Sequence, residues 1–550
     1  MHTKTYLLLG LAGLSPAHAD VKLPAFFSDH MVLQRDIAAP VWGTAAPGEK
    51  VAVSFAGQTA TATAGADGRW LAKLAPLKVS ATPEVLTVRG ANTVAIQDVV
   101  VGDVWLASGQ SNMDSPLSSG SSAEALATAN DPLLRFFKVA KTVAAEPQTD
   151  VKGKWDPSTP EAAKNFSAVA YFFAREIRRT QNVPVGVFND AWGGTPIRTW
   201  MAVESLRTDS LLSKTLAEWQ SALARHHAVK DQPELMAAYY KDMKDWETTV
   251  EPAYKAARKS HDAEAAAARA AGRPAPASPK PARPEPSVPD PIAMPSSSKR
   301  PSTPTVAYNA MIAPIAPYGL RGFIWYQGEA DASHGLEYRA HFPALIEGWR
   351  AAWKQGDLPF LWVQLPSNGK DAVPVASQGI PFLREAQALA LRLPATGMAV
   401  TLDIGDPDNV HPDNKVHTGG RLSLVARQKV YGEKIVGSGP LYRDHTIAGS
   451  TIRVRFSDIG GGLVVGTAPW RPAGSTPWPA DKLLGFYVAG ADQQWVEATA
   501  RIDGDAVVVS SPVVSAPVAV RYGWAASPRV NLYNREGLAA SPFRTDDGNR

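Results

Sequence analysis

Four short strings hold residues whose types and spacing could do chemistry. The first is Gly109-Gln110-Ser111-Asn112-Met113, directly after the apolar run at 99–106 (VVVGDVWL). A fully apolar run reads as a buried parallel strand, and open α/β sheets bind ligands outside the carboxyl ends of their strands. A serine opening a helix there presents its hydroxyl, and its own N–H points at an oxygen that develops charge. An ordinary helix N-cap is the plainer alternative, and Ser108 and Ser115 compete for the role. A serine nucleophile needs a base, and the base needs an orienting partner. Of the eleven histidines, His411 has the distinctive context, Asp406-Pro407-Asp408-Asn409-Val410-His411-Pro412-Asp413. Asp408 lies three residues before it, and an Asp-x-x-His turn can set a carboxylate against the imidazole from a single loop. The acids Asp403, Asp406, Asp408 and Asp413 also admit a cation site, although their spacing does not fit a D-x-D-x-D-G calcium loop.

Acyl chemistry also needs donors for the oxyanion. Trp192-Gly193-Gly194-Thr195-Pro196 offers backbone N–H groups, since paired glycines let a main chain approach a ligand closely. An ordinary tight turn is the alternative there. Trp325-Tyr326-Gln327-Gly328-Glu329 offers the Gln327 amide. Glu329 could orient that amide or anchor a loop, and Asn112 is a second candidate for support. The chain of 550 residues has no cysteine, which excludes disulfides, thiolate nucleophiles and Cys-ligated metals. A net charge of +4 with 20% charged residues does not mark a nucleic-acid binder.

The elements that must position these strings can be read from periodicity. Residues 1–19 have a charged start at Lys4, a short apolar stretch and Ala17-His18-Ala19, the pattern of an export signal cut after Ala19. The apolar stretch is too short to span a membrane, and no other run suggests one. The mature protein is therefore expected to be exported, periplasmic or secreted. Residues 20–98 read as a small all-β sandwich-like module, with strands at 51–55, 59–63 and 86–89 separated by Pro47-Gly48 and Asp67-Gly68. From residue 99, strands alternate with helices: a helix at 168–180, strands at 183–188, 322–326 and 360–365, and a helix at 338–354. That alternation predicts an α/β domain with a doubly wound parallel sheet. It is expected in two parts, 99–204 and 305–430, split by an insert at 205–304. The insert is helical in pattern up to 272. Eleven prolines at 273–304 then predict an extended, solvated linker without a core. Residues 431–550 return to strands and predict a C-terminal β module.

The strings GQSNM, WGGT, WYQGE and DxxHP stand in one order that resembles the sialate O-acetylesterase family of SGNH (GDSL-like) hydrolases. The likeness extends to Phe27-Ser28-Asp29-His30-Met31-Val32-Leu33-Gln34-Arg35, to Tyr308-Asn309-Ala310-Met311-Ile312-Ala313-Pro314 and to Asn531-Leu532-Tyr533-Asn534. The resemblance implies an SGNH-hydrolase-like fold with flanking sandwich or jelly-roll-like β modules. It implies a serine esterase that removes O-acetyl groups from sugars without a metal or organic cofactor. By motif match, Ser111 is the nucleophile, His411 the base and Asp408 its partner. The oxyanion hole is Ser111 N–H, Gly194 N–H and the Gln327 amide. The insert departs from the pattern and bears on substrate.

The expected partner is an acetylated oligo- or polysaccharide, with a neutral plant polymer such as xyloglucan preferred. Sialic acid carries a carboxylate and would favour an arginine in the cleft, for which Arg198 and Arg350 are candidates. Trp192 and Trp325 are candidate platforms for sugar rings, with core packing the alternative for each. A non-catalytic carbohydrate-binding protein is the competing reading from another class.

Overall fold

The computed structural model describes residues 20–207, 209–270, 273–274, 276–294, 300–369, 379–470 and 478–546. The export-signal reading of 1–19 lies outside the described residues. The run at 99–106 belongs to a longer strand, Thr93–Gly109. Its first half pairs antiparallel with Ser80–Arg89 in the N-terminal β region, and its second half is the middle of a parallel sheet. One strand therefore crosses the boundary expected at 98/99. No glycine or proline interrupts the chain between Thr93 and Gly102 to end it sooner.

The parallel part of this eleven-stranded sheet runs Thr396–Ala399, Phe360–Val363, Gly322–Tyr326, Thr93–Gly109, Val185–Ala191 and Asp131–Lys138, with Trp155–Ser158 antiparallel at the edge. Later strands add to both sides of Thr93–Gly109, so this strand is the switch point where α/β sheets open a crevice. Register explains the layers. Trp105 stands opposite Gly322 and packs on Phe173 of helix Ala168–Gln181, while Leu106 stands opposite Phe323, which packs on Trp349 of helix Gly335–Trp353. Alternate residues thus feed two helical layers, which is why the central strands are buried throughout.

The insert forms helices Ser213–Val229, Pro233–Thr249 and Glu251–Ala270. Among its described residues the proline-rich stretch has no helix or strand, as expected, but it is not simply solvated. Asp290 accepts from His226 at 2.8 Å, Ile292 is buried against Trp219 and Val306, and Val288 packs on the Tyr239, Met243 and Trp246 cluster. Prolines set an extended backbone, and the few apolar residues between them find grooves on the helices. The C-terminal strands make small antiparallel sheets. They dock on the α/β layer through the buried Arg384, which donates to Leu365 O, Pro366 O, Ala525 O and Ala526 O.

Candidate active site

Register brings three of the four strings together. Gly109 lies opposite Ala191 on one side and Tyr326 on the other, so GQSNM, WGGT and WYQGE leave the same edge of the sheet side by side. Gln110 N–H donates to Tyr326 O at 3.0 Å, and Trp192 N–H to Gly109 O at 3.1 Å. Gly109 has φ +136°, and a Cβ there would lie 2.1 Å from Tyr326 O, so both conformation and space require glycine. The Gln110 side chain accepts from Gly328 N–H and Ala330 N–H at 3.3 and 3.1 Å, which ties the first string to the third. Ser111 then opens the short helix Ser111–Asp114, half-buried.

The fourth string arrives from a loop built by its own polar side chains. Asp408 N–H donates to Asp406 Oδ1, and His411 N–H to Asn409 Oδ1, both at 2.9 Å. This loop brings His411 Nε2 to 2.8 Å from Ser111 Oγ across a separation of 300 residues. Partial burial and the nearby Lys415 ammonium hold the imidazole below its ordinary pKa, so at neutral pH it is an acceptor for the hydroxyl proton. The pair opens on a cleft of about 530 Å³ that Gly193, Asn409, Asp413 and Arg300 also line.

Other expected residues are placed differently. Asp408 is exposed, and among the described residues no hydrogen bond joins its carboxylate to His411. Asp403 turns inward to Arg421, at 2.5 and 2.8 Å, and to Tyr533, so it does not join the other three acids in a cation site. Gln327 does not present its amide to Ser111. Its two N–H groups go to Thr195 O at 3.1 Å and Asp331 Oδ2 at 2.5 Å, and its Oε1 accepts from Tyr338 at 3.0 Å. A buried carboxamide must satisfy all its groups, and these partners leave none for an oxyanion. Its contact with Thr195 instead braces the WGGT turn. Within that turn Gly193 faces Ser111, while Gly194, at φ +76°, is exposed and lines the neighbouring pocket.

Trp192 and Trp325 are core residues, 5% and 0% exposed, and Trp325 packs edge-on against Trp200 and Trp349; neither can stack on a sugar. Arg198 donates to Ser302 O and pairs with Glu218 in the neighbouring pocket, and Arg350 is buried on Leu358 O and Pro394 O. The arginine that lines the serine cleft is Arg300, from the end of the insert, which sequence reasoning missed.

Asn112 and Glu329 are brought together, and Asn112 Nδ2 donates to Glu329 and, at 2.9 Å, to Val410 O. A residue missed in sequence completes the group: Lys415, the first residue of helix Lys415–Lys429, donates to Asn112 Oδ1 at 2.5 Å. Its signal was legible, since a lysine in a helix's first turn opposes the helix dipole.

A serine hydroxyl on an imidazole, at the carboxyl edge of a doubly wound sheet, is an arrangement suited to acyl transfer through a serine nucleophile. Residues 101–265 and 296–425 match the family described as carbohydrate esterase, sialic acid-specific acetylesterase, and the chain belongs to that family. It is therefore a carbohydrate O-acetylesterase, a carboxylic ester hydrolase. Sialate O-acetylesterase of Rattus norvegicus is 31% identical over 482 residues, 79% of this chain and 78% of that one. The Homo sapiens sialate O-acetylesterase is 28% identical over 460 residues, 76% and 73% of the two chains. The crystal structure of a carbohydrate acetylesterase from Xanthomonas citri superposes with a TM-score of 0.73 at 36% identity, covering 96% of this chain and all of that one.

Proposed function

We propose that this enzyme is an SGNH-type serine esterase that deacetylates a carbohydrate polymer in two steps at Ser111. The observation that carries the reading is the 2.8 Å contact between Ser111 Oγ and His411 Nε2. Ser111 Oγ attacks the acetyl carbonyl carbon while His411 takes its proton. The oxyanion is received by backbone N–H groups of Ser111 and of the turn at Gly194. His411 then protonates the sugar oxygen as its bond to the acetyl carbon breaks, releasing the sugar hydroxyl and leaving acetyl on Ser111. Water, deprotonated by the same imidazole, attacks that ester; acetate leaves and Ser111 Oγ regains the proton. Asp408, on the same exposed turn, is assigned as the partner that would steady the imidazolium by turning its carboxylate toward the ring during the reaction.

The preferred substrate is an acetylated neutral plant polysaccharide such as xyloglucan. The cleft supports this through its rim, where Asn409, His411 and Asp413 are exposed, so an acetyl on a long chain can reach Ser111 without the polymer being enclosed. Acetylated sialic acid is the second reading, and Arg300 in the same cleft is the observation that favours it. Acetate release from acetylated xyloglucan, acetylated xylan and 9-O-acetyl sialic acid, measured side by side, decides between them. The reading expects the xyloglucan rate to lead. Asp408→Asn should lower kcat by about 10⁴-fold; a loss under tenfold would point to Asp406 or Asp413 instead. Because His411 is held below its ordinary value, kcat/KM should rise to its plateau with a midpoint below pH ~6.5. Export with cleavage after Ala19 is part of the same proposal, and the amino-terminal sequence of the secreted protein checks it.

A further inference from the structure

Ser111 and His411 come from segments at opposite ends of the catalytic sequence; the histidine loop is exposed where it meets the cleft, and Ser111 is half-buried. Beneath them lies a buried polar cluster that the reaction does not use directly. Asn112 is 0% and Lys415 4% exposed, yet they come from the serine loop and from the helix after the histidine loop. Asn112 Nδ2 donates to Val410 O, the carbonyl just before His411, and to Glu329; Lys415 Nζ donates to Asn112 Oδ1. The chemistry permits one arrangement only. An ammonium can only donate, whereas a carboxylate and a carbonyl can only accept. Turning the Asn112 amide over would set its oxygen against Glu329 and Val410 O and its NH₂ against Lys415.

We propose that Lys415 is a positioning residue for deacetylation: by fixing the orientation of the Asn112 amide it fastens the histidine loop to the serine loop and so holds Ser111 and His411 in register. This rests on the Ser111–His411 reading above. The groups facing Lys415 are the carboxylates of Glu329 and Asp413, the His411 imidazole and the Tyr326 ring at 5.9 Å. Burial lowers its pKa to about 8 against the pull of those carboxylates, so the ammonium is the main form at neutral pH. Glu329 is partly buried; burial raises its pKa and the contacts with Asn112 and Lys415 pull it back, so the cluster sets an acid and an ammonium around one amide.

The test is a double-mutant cycle on a small acetyl ester with the full chain. Lys415→Met should lower kcat on the order of 10²-fold with KM changed less than about threefold, as expected for a shift of a reacting group by an ångström or so. Asn112→Ala should give a similar loss, and the double variant should lose no more than the worse single one, because both act through one amide. Ethylammonium added to Lys415→Ala should recover part of kcat, which a general loss of stability would not allow. If Lys415→Met does not fold, Lys415→Gln with Asn112→Ala serves the same cycle. A kcat within threefold of wild type for the Lys415 variant, or losses that multiply in the double variant, would overturn the inference. Ser111→Ala, run in parallel, separates the two ideas: full activity there sinks the serine reading itself.

Discussion

Asp103 and Asp190 lie on adjacent strands of one sheet, both fully buried, and their surroundings are opposite. Asp103 stands opposite Val185, at the amino edge of the parallel sheet. Its carboxylate accepts from Arg35 at 2.8 Å, Arg321 at 3.0 Å and Tyr431 at 2.8 Å. Burial alone would raise its pKa, but these partners outweigh burial and hold it below the usual carboxylate range. Asp190 is one residue from the carboxyl end of its strand, opposite Ser108. Neither of its oxygens meets a hydrogen-bonding group among the described residues, and burial drives its pKa well above the ordinary value. The acid at the edge away from the chemistry is fully partnered, whereas the edge that presents the catalytic strings carries an acid with no hydrogen-bond partner among the described residues. Function and stability are concentrated at different ends of the same strands.

The largest effect that could break this division is at Ser111. Ser111→Ala should remove essentially all acetate release while leaving the thermal midpoint within about 2 °C, measured by p-nitrophenyl acetate turnover and calorimetry. A collapse in stability would mean that the catalytic edge also holds the fold together. Next in size is Asp103→Ala, which leaves two arginines facing one another and should cost about 3 kcal/mol in denaturant unfolding. The kcat of its folded fraction should be unchanged.

Smallest is Asp190→Asn, which should gain about 1 kcal/mol at pH 8, because the buried acid no longer has to stay protonated or ionise in place. The pH dependences have opposite signs. The folded pKa of Asp190 is raised, so the stability it contributes is complete below its unfolded pKa near 3.9 and is lost as pH rises through the folded value. The gain from Asp190→Asn should therefore vanish at pH 3.5. The folded pKa of Asp103 is lowered, so its contribution is present above the unfolded value and is lost as pH falls through the folded one. Parallel pH series of unfolding free energy for the two variants check both slopes, and a gain from Asp190→Asn that persists at low pH would contradict this account.

The parts of the site legible in the sequence are those in which one residue type has little else to do. Ser111 and the Asp/Asn-rich turn around His411 announced themselves through local chemistry, and the strands at 322–326 and 360–365 through their largely apolar runs. Gln327 misled, and Trp192 and Trp325 stayed open between a sugar platform and the core, for a common reason. An amide or an indole suits either a ligand or a core partner, and only the neighbours decide. Trp325 has Trp200 and Trp349, and Gln327 has Thr195, Asp331 and Tyr338. The proline-rich stretch was legible as extended backbone, but the docking of Ile292 and Asp290 depends on helices far away in the chain.

The sequence by itself determined the apolar strand patterns, the helical periods, the order of the four strings and the absence of thiol chemistry. These follow from backbone sterics, side-chain alternation and residue type, which are local properties. The tertiary structure alone decided that Gly109 lies between Ala191 and Tyr326, that His411 reaches Ser111 rather than any other serine, and that Arg300 lines their cleft. It also decided that Lys415 bonds Asn112 and that Asp103 has hydrogen-bond partners where Asp190 has none among the described residues. Those are distances between residues tens to hundreds apart in the chain. They are set by strand register and helix packing, which no local pattern encodes.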